Sequence, residues 1–596
     1  MTEYQAPIRD MKFVINELAD VSSVIALPGF EEMTPDLLEA VLEEAGKVAS
    51  EVLAPLNSAG DERGASLDKT GVVAAEGFAT AYRSFVDNGW CALSGDPEYG
   101  GQGLPGLVAA ATAEMWNAAN MSFALCPMLT AGAMEAINAH ASDELKAIYL
   151  PRLISGEWTG TMNLTESQAG SDLAAIRTRA VPDGDRYRIH GQKIFITWGD
   201  HDMTENVVHL VLARLPDAPE GTRGISLFLV PKFLVKADGT LGDRNDVTCA
   251  SLEHKLGIHA SPTCVMVFGE TEGAIGYLVG QANRGLAHMF TMMNEARQKV
   301  GIQGLGIAER AYQAARDYAK ERVQGRPIGQ KTADRLAIIH HPDVRRMLLT
   351  MKSQIEAMRA FGYVLAADVD WAHRHKVEAE RGRRQARVDL LTPVLKGWCT
   401  ELGVEIASLG VQVHGGMGFI EETGAAQHLR DARIAPIYEG TTGIQAADLA
   451  GRKLTADNGA AMVALIADMR DVEARLGTAN GADFPSIRAH LAAAIDALEQ
   501  ATDWMLQTIA KDPAAAMAAS VSYMMLTGFV CGGWQMARAA LAAHAGLAAD
   551  GDDGFLRAKI VTATFYAEQI LPQAEALLTL VRSGASHAAD LRDDDF

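Results

Sequence analysis

What this 596-residue chain lacks narrows it quickly. Its six cysteines (Cys91, Cys126, Cys249, Cys264, Cys399 and Cys531) include no CxxC pair, which excludes a zinc-ligand pattern and the dense disulfide framework of a small secreted domain. No run of five Lys or Arg residues occurs and the formal net charge is −22, so the basic stripe that phosphate backbones need is missing. Nucleic acid is therefore not an expected partner. The first residues, "MTEYQAPIRDMKFVINELAD", carry acids and no apolar core of a secretory leader, which predicts a cytoplasmic protein. Aromatics make up only 6% against 48% hydrophobic residues, so Ala, Gly and Leu supply most of the packing, as suits closely packed helices. No G-x-G-x-x-G follows a strand, so a Rossmann dinucleotide site has no support. His340 and His341 are adjacent and point apart with no carboxylate set beside them, so no metal site is expected. One charge-free run, Ala514 to Ala537, is long enough to span a bilayer. It holds three glycines, two serines, a threonine and a glutamine, which predicts a buried bundle helix and no transmembrane span.

What is present is a change of period, and with it an α+β chain of four parts. Residues 1–157 read as a helical domain: "TPDLLEAVLEEAGKVASEVLAPLN" spaces its apolar residues for a helix with an acidic start and a proline stop. Asp96 to Pro105, "DPEYGGQGLP", interrupts it as a loop. Residues 158–282 alternate with period two in "RYRIHGQKIFI", "VVHLVLARL", "GISLFLVP" and "TCVMVFGE", predicting a middle β-barrel domain of seven or eight strands. Residues 283–458 return to long helices as a helical bundle. A charge-rich linker, "GRKLTADNG", leads into residues 459–596, an additional Ala-rich helical domain.

Three strings carry the chemistry. "MNLTESQAGSDL", Met162 to Leu173, lies where helices hand over to strands; "EHKLGIHASPTCVMVFGE", Glu253 to Glu270, lies within the β region; "DARIAPIYEGTTGIQ", Asp431 to Gln445, follows the long helices. Alone, each is weak: "SD" reads as the cap of a short helix, and a single acid in a turn is usually solvated. Together, in this order and spacing over residues 30–455, they resemble the signatures of acyl-CoA dehydrogenases.

That resemblance implies an FAD site and assigns it residues. Met162, Leu164 and Thr165 would line the flavin, and Gly170 and Ser171 would touch the pyrophosphate or the pantetheine. Phe195 stands where relatives often carry Trp and would shield the ring, with Thr197 beside it. Trp198 replaces the usual Asn. Arg322 and Gln324, late on a long helix, with Gln412, Gly415 and Gly416, would reach the FAD diphosphate of a neighbouring subunit. A planar guanidinium suits a diphosphate because it bonds two oxygens at once. The resemblance thus implies a homodimer or dimer of dimers, an acyl-CoA substrate and an electron-transfer flavoprotein as electron acceptor.

It also gives Glu439 a task. The α-proton of an acyl thioester is far too weakly acidic for an ordinary carboxylate near pKa ~4. Donors aimed at the developing enolate oxygen, one of them the Glu439 backbone N–H, and exclusion of water around the base make the step feasible. Tyr438 would exclude water and Gly440 would clear the acyl path. Thr441 would bond the flavin or its diphosphate. Gly443 stands where many relatives have Gln, with Gln445 as a substitute for the lost contact. Some branches mount the base on the long helix just before an arginine. Here that arginine is Arg297 and the preceding residue is Ala296, while Glu295 is turned ~100° away. Asn294 and Arg297 would meet the substrate, and the helix around Ala124 to Thr130 would floor the acyl pocket.

Strings such as "EWTGTMNLTE", "HMFTMMNEAR" and "HPDVRR" resemble a long bacterial branch that includes enzymes acting on 3-(methylthio)propanoyl-CoA and on fatty acyl-CoA. The expected reaction is α,β-dehydrogenation to the trans-2-enoyl-CoA, with hydride passing to flavin N5. The alternatives are an acyl-CoA oxidase that uses oxygen, a flavoprotein relative that binds DNA, and a helical scaffold with a dead site.

Overall fold

The structure, a computed structural model, describes residues 4–236, 238–329, 334–584 and 590–596. The chain forms two compact units, each discontinuous in sequence. One comprises Met1–Glu43, Pro105–Glu114 and Val300–Phe596; the other comprises Glu44–Leu104 and Met115–Lys299. The helices used below are α1 (Gly106–His140), α2 (Asp143–Ser155), α3 (Gly285–Glu321), α4 (Pro342–Arg374), α5 (Glu378–His414), α6 (Thr442–Asp448), α7 (Ala460–Thr478), α8 (Phe484–Ile509), α9 (Pro513–Asp550), α10 (Gly554–Gln569) and α11 (Gln573–Ser583).

The second unit holds the β domain. Its main sheet has eight strands: β1 (Trp158–Asn163), β2 (Arg179–Asp183), β3 (Arg186–Thr197), β4 (Asn206–Arg214), β5 (Ile225–Pro231), β6 (Val247–Leu252), β7 (Thr263–Phe268) and β8 (Ala274–Val279). The spatial order is β6-β7-β3-β8-β5-β4-β1, and β2 pairs with both β3 and β4. That last link closes β3, β8, β5, β4 and β2 into a ring, so the expected barrel is present. Pairing is antiparallel except for β1–β4 and β2–β4. Alternation along the strands sends Val211, Ala213, Phe228 and Val230 to one core, shared with Ile189 and Met266. Leu210, Leu212, Leu227 and Leu229 go to the other, against Leu129, Ala133 and Ile137 of α1 and Tyr149, Leu150 and Leu153 of α2. α1 is broken at Asn120, which leaves helical geometry; its Oδ1 accepts from the Phe123 N–H at 3.1 Å and recaps the helix. A small hairpin, Ser66–Asp68 with Gly71–Val73, went unread because its first strand is three exposed residues with no apolar alternation.

The first unit is helical. The expected linker "GRKLTADNG" is instead a continuation of helix through a π turn, Leu449–Lys453, to Ala456; only the left-handed pair Asn458 and Gly459 breaks it. Helices α7–α11 pack on one another, and α9 also packs on α4, α5 and α6. Small residues make this possible. A Cβ on Gly528 would sit 2.3 Å from the Trp398 ring, and one on Gly532 would sit 2.4 Å from the Tyr566 hydroxyl oxygen. The long apolar run therefore lies in α9, where 61% of its most apolar stretch is buried inside the bundle.

Charges also fill the interior of this unit. Arg359 of α4 is 2% exposed and bonds Glu114 (Nε–Oε1 3.0 Å), Glu309 (2.8 Å) and Asp10. Tyr363 donates to Glu114 at 2.6 Å. Lys559 of α10 bonds Asp10 and lies 3.2 Å from Glu356, which also binds Lys352 and the Thr562 hydroxyl. Four acids thus face three bases, and burial, with Glu309 adding, pushes the Glu114 carboxyl above its ordinary range despite Arg359. The network ties the N-terminal segment and the C-terminal extension to α4. Arg359→Met would leave several buried carboxylates without their shared partner. We expect it to cost about 3–5 kcal/mol, read as a lower midpoint in denaturant unfolding; an unchanged midpoint would mean the network is neutral.

Candidate active site

In the second unit, β1 ends at Asn163 and the chain continues through Leu164 and Thr165 into the "ESQAGSD" loop. Met162 is buried, Leu164 and Thr165 are half-buried, and Gly170 and Ser171 are exposed; a Cβ on Gly170 would meet nothing within 4 Å. The bland expectation for "SD" also holds: the Asp172 carboxylate accepts from the Ala174 N–H at 3.0 Å and caps a 3-10 turn. Across the sheet, Thr197 is half-buried and Phe195 is 58% exposed between Ile194 and the buried Ile196. Phe195 has φ of +60° and Trp198 +52°, left-handed values that bulky residues seldom adopt. Trp198 turns inward, stacks 6.3 Å from Phe78 and donates from Nε1 to the Ser122 carbonyl at 3.1 Å. Phe195 faces out. A large aromatic held outward by strained backbone, beside an open glycine loop, fits a planar ring ligand such as a flavin.

An unforeseen ion pair braces this edge. Lys193, fully buried on β3, donates to the Leu164 carbonyl at 2.9 Å and to Glu166 at 2.8 Å. Glu166 also accepts from the Arg177 and Thr178 N–H groups, the Thr178 hydroxyl and Gln168. Burial pushes Glu166 up, but the charge of Lys193 and these donors outweigh it and hold the acid at about 2. Burial depresses Lys193 to about 8 against the opposing pull of Glu166. The signal was a lysine at an inward position of "GQKIFIT".

On α3, Arg297 is buried with its guanidinium 5.9 Å from the Phe290 ring, and Asn294 is half-buried. Ala296 is buried and Glu295 is salt-bridged to Lys299, so the alternative base position carries no acid.

The first unit holds the remaining assigned residues in two groups. Tyr318 near the end of α3 stacks on His414 at the end of α5, with centroids 4.5 Å apart at 29°. That contact brings Arg322 and Gln324 to the same end as Gln412, Gly415 and Gly416, all exposed. Cβ atoms on Gly415 and Gly416 would meet nothing within 4 Å. His341 is committed to the Gln324 carbonyl at 2.7 Å, and no group of three potential metal ligands occurs among the described residues.

The second group is the turn at Glu439, which is half-buried with φ of +55°, followed by Gly440 at +89°. Tyr438 donates its hydroxyl to Gln303; burial, with the charge of Glu439 adding, pushes that hydroxyl well above its ordinary range. The Thr441 hydroxyl caps α6 by accepting from the Ile444 N–H at 3.2 Å, and Gly443 is exposed. Gln445 is not the substitute ligand the sequence suggested: it is fully buried and bonds the Glu439 carbonyl at 3.1 Å. Sequence reading also missed Lys396, the one basic residue in "LLTPVLKGWCTELG", whose Nζ donates to the Gly440 carbonyl at 2.7 Å.

Comparisons with known proteins match four consecutive models. They are the acyl-CoA dehydrogenase N-terminal domain over 36–157, the middle domain over 161–271, the C-terminal domain over 283–454, and the acetyl-CoA dehydrogenase C-terminal-like region over 463–592. The chain is 52% identical to 3-methylmercaptopropionyl-CoA dehydrogenase of Ruegeria pomeroyi, covering 96% of this chain and 97% of that one. It is 36% identical to a butyryl-CoA dehydrogenase of Syntrophomonas wolfei, over 100% and 99%. A solved acyl-CoA dehydrogenase complexed with FAD from Bacillus anthracis superposes with TM-score 0.73 at 20% identity, over 98% of this chain and 92% of that one, and shares the fold.

Lys193→Met would leave the Glu166 carboxylate buried against neutral donors. We expect a loss of about 3–5 kcal/mol and weaker FAD retention on dialysis, with the double variant Glu166→Gln/Lys193→Met recovering much of it. The held-down Glu166 stabilises fully above its ordinary 4.5 and loses that contribution as pH falls toward about 2. The stability gap between Lys193→Met and the parent should therefore narrow as pH falls from above 4.5 toward about 2, because the parent alone has that contribution to lose; a gap of constant size would contradict the pairing.

Proposed function

The chain belongs to the acyl-CoA dehydrogenase family, and from that premise we propose that it oxidises 3-(methylthio)propanoyl-CoA with Glu439 as the α-proton base. It is an acyl-CoA dehydrogenase and its cofactor is FAD. FAD, when bound, would supply a hydride acceptor for the β-carbon, and loss of the α-proton would then leave the trans-2-enoyl thioester. The chain's own part is to hold the thioester, exclude water and take that proton. Glu439 supplies the acceptor oxygen from a turn whose backbone is forced outward, and its N–H is a donor for the developing enolate oxygen. Tyr438 closes one side of the turn and Gly440 adds no side chain to the acyl path. Arg297, Asn294 and Ser171 are the proposed substrate contacts.

The observation that carries the choice of base is the left-handed geometry at Glu439, strain of the kind that functional sites retain. The absence of an acid at Ala296 supports it from the other side. The 52% identity over nearly the whole chain supports the methylthio substrate. Met162, Leu164, Thr165, Gly170, Phe195 and Thr197 are the proposed flavin contacts. Arg322, Gln324, Gln412, Gly415, Gly416, Thr441 and Gly443 are proposed for the rest of FAD, the first five in a second subunit of a homodimer or dimer of dimers; their exposure supports that role. An electron-transfer flavoprotein is the proposed acceptor and the cytoplasm the proposed compartment. The four matched stretches support domains at 1–157, 158–282, 283–458 and 459–596.

Glu439→Gln should keep bound FAD and bind substrate, yet lose turnover by several orders of magnitude in a dye-reduction assay. Turnover near that of the parent would place the base elsewhere. Across a panel of acyl-CoA thioesters, kcat/KM should peak with 3-(methylthio)propanoyl-CoA, and substrate-reduced protein should reoxidise slowly in air and fast with electron-transfer flavoprotein. A peak at butyryl-CoA would overturn the substrate, and rapid reoxidation in air would favour an oxidase.

A further inference from the structure

Two left-handed residues in a row, one of them a glutamate, do not persist on local preference. The L-residue alone is sterically disfavoured in such a conformation. Something must fix the turn, and two fully buried side chains do so. The Lys396 ammonium, on α5, donates to the Gly440 carbonyl at 2.7 Å. The Gln445 amide, on α6, donates to the Glu439 carbonyl at 3.1 Å and reaches the Gly440 carbonyl at 3.4 Å. With both carbonyls anchored, the peptide planes on either side of the Gly440 Cα are set, and the first of them carries the Glu439 Cα. The bond from an ammonium is the stronger one, because a charged donor roughly doubles the bond strength.

The C-terminal extension backs this arrangement. A Cβ on Gly397, next to Lys396, would meet the Met524 sulfur of α9 at 2.5 Å and the Gln445 Cβ at 3.7 Å, so the two anchors and the extension share one packed space. α6, which carries Gln445, also packs on α9. Nothing in this cluster needs to exchange a proton with substrate; its atoms lie behind the turn, on carbonyl oxygens.

We propose that Lys396 and Gln445 are positioning residues for α-proton abstraction. They clamp the Glu439–Gly440 turn in its left-handed form, and Met524 of the extension holds the clamp in place. The proposal rests on Glu439 being the base. A displacement of about 1 Å in such a group lowers the rate by roughly a hundredfold. Lys396→Met should therefore lower kcat by about 30- to 300-fold on that scale, with KM and FAD content within about threefold of the parent.

The test compares Lys396→Met, Lys396→Arg, Gln445→Leu and Glu439→Gln in the full-length holoenzyme. The substrate is the thioester turned over fastest in the panel above, used with hydrogen and with deuterium at C2. Misplacement of the base makes C2–H cleavage more rate-limiting. The deuterium isotope effect on kcat should then rise in Lys396→Met and in Gln445→Leu, and Lys396→Arg should recover at least tenfold of the lost kcat. A variant that merely folds poorly loses active molecules and leaves the isotope effect where it was; that result, or an unchanged kcat, overturns the clamp. If Lys396→Met does not fold, Gln445→Leu carries the same test. Should Glu439→Gln stay inactive while the clamp variants behave like the parent, the base stands and the clamp falls. Should Glu439→Gln turn over normally, both fall.

Discussion

The proposed base, Glu439, has to be held still to meet a weakly acidic C–H bond, and its turn is held through the backbone. Glu439 and Gly440 occupy the left-handed region in succession, and their carbonyls are pinned by an ammonium and an amide that are themselves buried. The rest of the first unit can be understood as the support for that turn. α5 brings Lys396 and α6 brings Gln445. α9 fills the space behind both through Met524, and the Arg359 and Lys559 ion network ties the extension back to α4. In a buried network of this kind desolvation offsets much of the Coulombic gain, yet removing one partner is costly. The extension is then part of the site's frame.

The second unit shows the same logic at the proposed flavin contacts. Strand β3 carries Lys193 inward and Phe195 outward, with left-handed backbone at Phe195 and at Trp198. Trp198 is locked by its bond to Ser122, and Lys193 grips the Leu164 carbonyl and Glu166. Strained residues are kept where their neighbours over-determine them. In each unit a buried lysine donates to a backbone carbonyl, Lys193 to that of Leu164 and Lys396 to that of Gly440.

Much of this was legible beforehand, for physical reasons. The switch from helical to two-residue periodicity marked the barrel, because strands with one face on each core must alternate. The small residues of "AAAMAASVSYMMLTGFVCGGWQMA" marked a bundle helix, because Gly528 and Gly532 are where Trp398 and Tyr566 come close. Glu439 stood out as the acid in a turn otherwise built of small and hydroxylated residues. What could not be read were the partners. Lys396, Lys193, Glu166 and Gln445 act through contacts with residues six to forty-four positions away or twenty-seven and twenty-nine positions away, and no local pattern encodes those pairings. The linker at "GRKLTADNG" was misread because its charges suggested a solvated joint, whereas Leu454 within it and Leu449 and Ala450 just before it are buried and keep the helix going.

The central claim is that Glu439, from this clamped turn, removes the C2 proton of an acyl thioester. Deuterium uptake at C2 tests it most directly. Holoenzyme is incubated with acyl-CoA in D2O without an electron acceptor, and the recovered thioester is analysed by mass. Rapid uptake in the parent protein and none above the solvent rate in Glu439→Gln is the predicted result. Equal uptake in both would contradict the account.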